Sequence, residues 1–319
     1  MSQQFGRYIM ASDVVVPTGM NIELAVAVAK ADLGRFTQYE SPNTGELYTV
    51  ARADFLAADD LQGKTHELLS IMLNSLLSKL PSSLKPLPLL LSLPSSVSQI
   101  MVQEWLESSE YAHLISNIQV SEQGGNRFVR ECIEAMKELD VLVCIAVDSL
   151  FEQIDDLIEQ SCVMSKSNPW GVIPSEGAAG MVLTKKSIVE TLKLRPQASV
   201  LFASFDLESN DRRGCTRLVR KASKYTQQFG QIYSDMTNER SHIEDYGFAI
   251  GARSECFAKP QDAILTNEWW GTLGRASGIA TVATFAHLHD DPQPGSLMLF
   301  DQLHSRSLLQ LQNCGGTLK

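Results

Sequence analysis

Short apolar runs alternate with longer amphipathic stretches along most of this chain of 319 residues, and this alternation limits the fold more than any other feature. The run at 141–147 (VLVCIAV) is typical of a buried strand, and 65–80 (THELLSIMLNSLLSKL) carries apolar residues at helical spacing. Strands that alternate with helices build a sheet covered by helices on both faces. The sequence therefore predicts an α/β fold with layered sheets.

The alternation runs twice along the chain, and the second run is shorter. Strands are predicted at 8–16, 47–52, 87–93, 116–120, 141–147, 178–186, 198–206, 231–236 and 262–266, with a closing hairpin of 295–303 and 306–313. Helices are predicted at 21–31, 65–80, 96–108, 126–138, 150–161, 211–229, 240–252 and 274–289. Pro196 and the polar residues of 187–197 suit a linker. We therefore expect two halves of related architecture, 1–190 and 191–319.

The charge balance is acidic, with 27 basic against 37 acidic residues and a formal net charge of -10. This balance argues against a surface for nucleic acid or for an anionic membrane. Hydrophobic residues make up 44% of the chain, which excludes a disordered protein. The stretch 211–224 (DRRGCTRLVRKASK) is a local basic exception. It is either a solvated helix face or a dock for an acidic partner.

The cysteine and histidine positions predict neither disulfides nor a metal site. No pair of the six cysteines has the CxxC spacing of a zinc site, which favours a reducing compartment, the cytoplasm. His287 and His289 are two residues apart and would point to different sides of a helix. No glycine-rich phosphate loop occurs, so we expect no cofactor. No apolar run approaches the roughly 20 residues of a membrane span.

The most informative stretch is 171–186 (GVIPSEGAAGMVLTKK), in which glycines at 177 and 180 permit close backbone packing before an apolar strand. It resembles the Gly-Glu-Gly-Ala-Gly turn of β-ketoacyl synthases, with Ser175 where that family usually has glycine. Three further stretches resemble family segments in the same order: 14–19 (VVVPTG), 141–150 (VLVCIAVDSL) and 273–282 (LGRASGIATV). The chain is thus similar to a remote and degenerate β-ketoacyl synthase of the chain-length-factor kind.

That resemblance implies a thiolase-like fold of two pseudo-duplicated halves with α-β-α-β-α layers. It also implies a cysteine nucleophile at a helix N-terminus, assisted by two histidines or by His and Asn. Matching the motifs in order places Glu122 at the cysteine position and Met236 at the first histidine. Gly271 falls at the second histidine and Thr266 at the family's lysine. All four positions have therefore lost the side chains of the family's chemistry.

A register error of a few residues does not restore this chemistry. No cysteine occurs before Cys132, and no histidine lies between His242 and His287. We therefore predict no catalytic residues for cysteine-based condensation. Glu122 is expected to act as an electrostatic cap of the following helix, and His242 to be a surface residue.

Two other segments depart from the family. Trp269 and Trp270 stand where the family has small residues. They either fill the core or join Met236 in plugging the former acyl tunnel. The segment 302–307 (QLHSRS) replaces the family's glycine-rich gating loop.

Three functions remain open. The first is a non-catalytic, dimeric scaffold, silent partner subunit or adaptor, whose partner is a ketosynthase, an acyl-carrier protein or a secretion effector. In this reading the strand at 141–147 and the loop at 118–125 lie near a two-fold dimer interface. The second is an acyltransferase or 3-oxoacyl synthase with relocated catalytic residues, which could bind acyl-carrier protein through 211–224 and use Glu122 as a base. The third is a module that binds acyl-CoA.

Overall fold

The computed structural model describes residues 6–301 and 304–315, which form twelve strands and ten α-helices. The strands are β1 (Arg7–Val15), β2 (Phe36–Glu40), β3 (Leu47–Ala51), β4 (Leu87–Ser92), β5 (Ile115–Ser121), β6 (Val141–Ser149), β7 (Glu176–Lys185), β8 (Ala198–Asp206), β9 (Ile232–Ser234), β10 (Ile264–Leu265), β11 (Gly295–Phe300) and β12 (Arg306–Asn313). The helices are α1 (Ile22–Lys30), α2 (Leu61–Ser78), α3 (Gln99–Ser108), α4 (Gly125–Ala135), α5 (Ile154–Glu159), α6 (Lys186–Leu192), α7 (Gly214–Ala222), α8 (Arg240–Arg253), α9 (Thr266–Trp270) and α10 (Ser277–Leu288).

Ten strands form one sheet in the order β10-β9-β11-β12-β8-β1-β7-β6-β4-β5, and β2 pairs with β3 in a separate hairpin. Strands β4, β5 and β6 run parallel, as do β9, β10 and β11. The antiparallel pairs β6-β7 and β7-β1 recur in the other half as β11-β12 and β12-β8. Leaving β2 and β3 aside, both halves have the same strand order, and within the sheet they meet through three residue pairs between β1 and β8.

Alternate residues of the strands face different hydrophobic clusters, which defines the layers. In β6, Cys144 and Ala146 face a central cluster, whereas Val143 and Ile145 face an outer cluster under α2 and α3. The central cluster also receives residues of α1, α4, α10 and strands of the second half. A third cluster lies between the second half of the sheet and the helices α7 and α8. The expected α-β-α-β-α layering is confirmed, because side chains of a strand alternate between its two faces.

The glycines of 176–180 lie inside β7 rather than in a turn. A Cβ at Gly177 would overlap the carbonyl oxygen of Val15 in β1, and one at Gly180 would lie 2.6 Å from Cδ1 of Leu76 in α2. Close approach to both neighbours therefore requires glycine here.

The structure differs from the sequence prediction in several places, one of which is the unpredicted helix α9. Helix α6 occupies most of the expected linker, and the helix expected over 211–229 spans only Gly214–Ala222. The stretch 150–161 forms a 3-10 turn and the short α5, and β2 was not predicted. The division into 1–190 and 191–319 stays a proposal that the repeated strand order supports.

That the strand at 141–147 and the loop at 118–125 lie near a dimer interface stays a prediction, but this strand is not free to pair across it. The strand at 141–147 is β6, which pairs with β4 on one side and β7 on the other, so its backbone groups are used within the chain. Strand β5 is the outer strand of the sheet on that side and pairs only with β4 among the described strands.

All six cysteines are free thiols. Within residues 6–301 and 304–315, no helix combines the length and hydropathy needed to cross a bilayer. The same ranges contain no cluster of three or more His, Cys, Asp or Glu side chains able to hold a metal ion.

Candidate functional site

The carboxyl ends of strands from both halves meet around a cavity of about 550 Å³. Residues at or just after the ends of β4, β5 and β6 form one side of the cavity wall. Residues at or just after the ends of β9 and β11 form the other side. Ligands of α/β proteins commonly bind at the carboxyl ends of parallel strands, because loops and helix starts converge there. This cavity is therefore the candidate functional site.

Two central helices begin at the cavity. Helix α4 starts at Gly125, and a 3-10 turn from Gly274 to Ala276 leads into α10. Gly125 and Gly274 have φ angles of 52° and 54°, in the left-handed region that favours glycine. The helix starts are tightly packed, since a Cβ at Gly278 would lie 2.9 Å from the carbonyl oxygen of Gly125.

Gly125 is the residue at the start of α4 with open space beside it. A Cβ at this position would have its nearest neighbours, Oδ2 of Asp301 and the carbonyl oxygen of Gly274, at 4.0 Å. At Gly124, by contrast, a Cβ would lie 2.6 Å from Cγ of Arg275. Position 125 is thus the place at this helix N-terminus where a reactive side chain would face the cavity, and it carries none.

Asp148 and Arg275 hold the two halves together at the cavity rim. Oδ2 of Asp148, at the end of β6, accepts a hydrogen bond of 2.9 Å from the backbone N–H of Arg275. Burial raises the pKa of this carboxyl group above its usual value. The Arg275 guanidinium donates to the carbonyl oxygens of Glu122 at 3.1 Å and Gln123 at 3.0 Å, so it fixes the loop between β5 and α4.

Asp235 follows β9 and is 5% exposed. Its Oδ1 accepts a hydrogen bond of 2.7 Å from the backbone N–H of Phe300, whereas Oδ2 has no hydrogen-bond partner among the described residues. Burial, reinforced by the nearby charge of Asp301, raises the pKa of Asp235 to about 7. This carboxyl group therefore changes its charge near neutral pH.

His242 is 2% exposed, so the prediction of a surface histidine is wrong. Its Nδ1 accepts from the backbone N–H of Thr237 at 3.4 Å and lies 2.9 Å from the Thr237 hydroxyl, which assigns the ring proton to Nε2. Nε2 faces the backbone of Asp301 and the carboxylate of Glu239, whose Oε2 lies 3.6 Å away. Burial and then the charge of Arg306 lower the pKa of His242 to about 3, so the imidazole is neutral.

Glu122 lines the cavity, as its position in the loop before α4 predicts. Glu122 lies three residues before the first helical residue of α4, and the N-cap is Gly124, which makes no side-chain capping bond. The backbone carbonyl of Glu122 accepts from Arg275. That the charge of Glu122 stabilises the helix N-terminus stays a prediction.

The other three positions from the family match do not line the cavity. Met236 packs against the third cluster, between the second half of the sheet and the helices α7 and α8. Gly271 is buried with φ 72°, and a Cβ there would lie 2.9 Å from the carbonyl oxygen of Ile173. Thr266 is 3% exposed and lies 3.2 Å from the hydroxyl of Thr281. These residues belong to the core of the fold.

The tryptophan pair fills the central layer. Trp270 is fully buried in the central cluster, and half-buried Trp269 packs against it at a ring distance of 5.8 Å. Met236 contacts a different cluster, so these three residues do not form one plug.

Of the segment 302–307, the first two residues lie outside the described residues. In its described part, Ser305 donates a hydrogen bond of 2.8 Å to Oδ1 of Asn126, and Arg306 forms a buried ion pair with Asp245 at 3.0 Å. These contacts tie the start of β12 to α4 and α8.

Asp148, Asp235, Asp301 and Arg275 were not singled out from the sequence. A signal was present, because each aspartate ends or directly follows an apolar strand. Since parallel strands carry their carboxyl ends to one edge, these aspartates were candidates for a shared site. No cysteine or lysine is among the described residues that line the cavity, so a thiolate or Schiff-base nucleophile has no source there.

No family model matches the sequence, and no curated protein matches it. Solved structures do match. A β-ketoacyl synthase from Burkholderia phymatum aligns with a TM-score of 0.71 and 11% identity, covering 96% of this chain and 99% of that one. The chain has a thiolase-like fold of the ketosynthase type.

Two further structures extend this similarity of fold. The ishigamide ketosynthase/chain length factor aligns with a TM-score of 0.66 and 12% identity over 97% of this chain and 100% of that one. A structure of a type II PKS acyl-carrier protein in complex with its ketosynthase aligns with a TM-score of 0.72 and 10% identity, covering 96% and 98%. The ketosynthase-type fold therefore extends over nearly the whole chain.

Proposed function

We propose that this chain is a non-catalytic, ketosynthase-like protein that acts as a dimeric scaffold or as the silent partner of a ketosynthase. One observation carries the proposal: the helix start that faces the cavity holds Gly125, with open space around its Cα and no side chain. A helix N-terminus lowers the pKa of a thiol placed on it, and the chain does not use this position.

The native cysteines do not supply a substitute. Cys132 lies in the same helix, seven residues beyond Gly125, and is fully buried in the central cluster. Burial raises its pKa far above the usual value, and the thiol form is a weak nucleophile. Cys144 is equally buried in β6. Condensation through a cysteine thioester therefore lacks both the residue and its environment.

The outer strand β5 supports a role in assembly. Its free edge offers unpaired backbone groups, and Ser116, Asn117 and Gln119 on it are exposed. One structural neighbour is a ketosynthase/chain length factor, and another is a ketosynthase with its acyl-carrier protein. By analogy, the partner of this chain is a ketosynthase, a second copy of itself or an acyl-carrier protein. An adaptor for a secretion effector is the remaining form of the same proposal.

Two measurements on the purified full chain test this function. The first incubates it with radiolabelled acyl-CoA and with acyl-carrier protein loaded with the same acyl group. We expect no covalent label and no condensation product. Label that survives denaturing electrophoresis would contradict the proposal. The second determines the mass in solution, alone and with a co-expressed ketosynthase. A chain that stays monomeric in both cases would contradict the dimeric form.

The alternative is an acyltransferase or 3-oxoacyl synthase with relocated residues, and the Asp235 pKa of about 7 is what favours it. A carboxylate that titrates near neutral pH suits a general base. In this case product formation would fall in the Asp235→Asn variant and persist in Glu122→Gln. The opposite pattern would favour Glu122 as the base. An acyl-CoA-binding module is the third possibility, for which the cavity of about 550 Å³ offers space.

A further inference from the structure

Helix α1 is apolar on its exposed side as well as on its buried side. Ile22, Ala25 and Val26 pack into the central cluster. On the opposite side, Leu24 is 49% exposed, and Ala27 is exposed too. A helix on the surface of a domain normally turns charged and polar residues outward, so an apolar outer face indicates a surface that becomes covered.

The exposed apolar face runs along the whole helix. Leu24, Ala27, Val28 and Ala31 follow one another at helical spacing and therefore share one side of α1. Met20, directly before the helix, is 43% exposed and continues this side. We call these five residues the α1 patch. Its small alanine side chains allow another helix to approach closely.

Two charged residues lie on one flank of the α1 patch. Glu23 is in the first turn and Lys30 in the last, about two turns apart, so both are on the same side of the helix. Both are exposed, and no described residue forms an ion pair with either of them. A rise of about 10 Å separates them along the axis, which is too far for them to pair with each other. Each charge is thus available to a partner.

Antiparallel packing of two copies of α1 satisfies both charges. A two-fold axis that passes between the helices near Ala27, perpendicular to them, places Glu23 of one copy beside Lys30 of the other. The same axis forms this ion pair twice and brings the apolar flank with Leu24 against its own copy. The dipoles of the two helices also oppose each other. Parallel packing would instead bring like charges together. The charge pattern therefore fits a second copy of this chain.

We propose that two copies of this chain associate through antiparallel packing of their α1 patches. This interface is separate from the β5 edge, because α1 packs on β1 and α10. Strand β5 lies four strands from β1, roughly 19 Å at about 4.8 Å per strand. A single short helix buries less surface than a permanent dimer needs, so the association is weak and reversible. The interface goes beyond the proposed scaffold function and does not depend on it.

Charge exchange tests the interface by sedimentation velocity on the full chain, at concentrations from about 1 µM to about 1 mM. We expect the wild type to associate with increasing concentration. Glu23→Lys and Lys30→Glu should each weaken this association about tenfold or more, or about 1.4 kcal/mol, because each places like charges opposite one another. An equimolar mixture of the two variants should associate as the wild type does, and so should the double variant.

Matched controls separate pairing from a change in net charge. Exposed Glu159→Lys on α5 and Lys221→Glu on α7 change the net charge by the same amounts and should associate as the wild type does. A wild type that shows no concentration dependence overturns the proposal. Equal association by Glu23→Lys and the wild type overturns it too, and so does failure of the mixture to recover. A dimer through β5 would persist in Glu23→Lys, so such a result leaves the scaffold function standing.

A thiol at the crossing point gives an independent measurement. Ala27→Cys should form a covalent dimer under mild oxidation, because the two-fold axis brings this position close to its own copy. Ala252→Cys on α8, also an exposed alanine on a helix, is the matched control, and the wild type shows the background of the native thiols. Non-reducing electrophoresis detects the dimer. Cross-linking of Ala27→Cys no stronger than that of Ala252→Cys overturns the proposal.

Discussion

Asp235 and His242 show how the same burial has opposite consequences for an acid and a base. Loss of water disfavours the charged form of each group, so the pKa of Asp235 rises to about 7 and that of His242 falls to about 3. Both groups are therefore mainly neutral in the folded protein between about pH 4 and pH 6.5. Both groups lower the free energy of unfolding in this window, but their contributions change in opposite directions with pH.

The Asp235→Asn variant tests the raised pKa of Asp235. The unfolded carboxyl group ionises near its ordinary value of 3.8 and the folded one near 7, so the wild type loses stability as pH rises between these values. The variant has no carboxyl group at this position, so it does not lose stability in this way. Urea unfolding should therefore show the stability of the variant rising relative to that of the wild type from about pH 4 to about pH 7. A difference that does not change with pH would contradict the raised pKa.

The His242→Asn variant tests the lowered pKa of His242. The unfolded imidazole becomes charged below its ordinary pKa of 6.5, whereas the folded one stays neutral until about pH 3. The wild type therefore loses stability as pH falls through this range, and the variant should lose less. Acid unfolding followed by circular dichroism measures the difference, with exposed His113→Asn as the control. Equal acid sensitivity of His242→Asn and the wild type would show that the imidazole is not buried.

A thiol introduced by Gly125→Cys tests whether this position faces the cavity. We expect iodoacetamide to label it in the folded protein at a rate within about tenfold of the exposed control Gly247→Cys. Buried Cys132 should stay unlabelled in the same sample. Mass spectrometry of the peptides identifies the labelled position. Protection of the introduced thiol to the same degree as Cys132 would place position 125 in the core.

At the scale of elements, the contact between α4 and α10 at their first turns sets the shape of the site. Gly278 allows this contact, because a Cβ there would lie 2.9 Å from both the carbonyl oxygen of Gly125 and Cγ2 of Val129. Both helices then point their N-termini at the cavity, where Asp148 accepts from the backbone N–H of Arg275. A shift of either helix would move the whole cavity floor.

The pair Gly278→Ala and Gly247→Ala separates packing from helix propensity. Alanine at 278 should destabilise the protein by about 1–3 kcal/mol, because the neighbours are backbone and a branched side chain. Alanine at 247, where nothing lies within 4 Å, should stabilise it by up to about 1 kcal/mol. Denaturant unfolding measures both variants. A destabilisation of equal size at the two positions would contradict the close helix contact.

For the whole molecule, the repeated strand order places two equivalent sets of strand ends around one cavity and leaves β5 as an outer edge. An edge strand pairs readily with another chain. If the proposed dimer pairs through β5, residues near the middle of this strand meet at the interface.

The Asn117→Cys variant tests this interface. If β5 pairs with its own copy across a two-fold axis, thiols near the middle of the strand come close together, and mild oxidation should give a covalent dimer. Non-reducing electrophoresis detects it, and Gly247→Cys on α8 is the exposed control. Cross-linking of the control to the same extent, or no cross-linking of Asn117→Cys in a protein of dimeric mass, would exclude pairing through β5.

The fold class and the layering followed from the sequence, because apolar periodicity is a local property that each strand and helix carries within its own residues. The sequence also showed that no cysteine occurs before Cys132 and that no histidine lies between His242 and His287. The site itself was decided by tertiary structure. Asp148, Asp235 and His242 lie far apart along the chain, and their burial and hydrogen-bond partners depend on how β6, β9, β11 and α8 pack. Sequence fixes which groups are present, but only packing removes water from them and sets their charge.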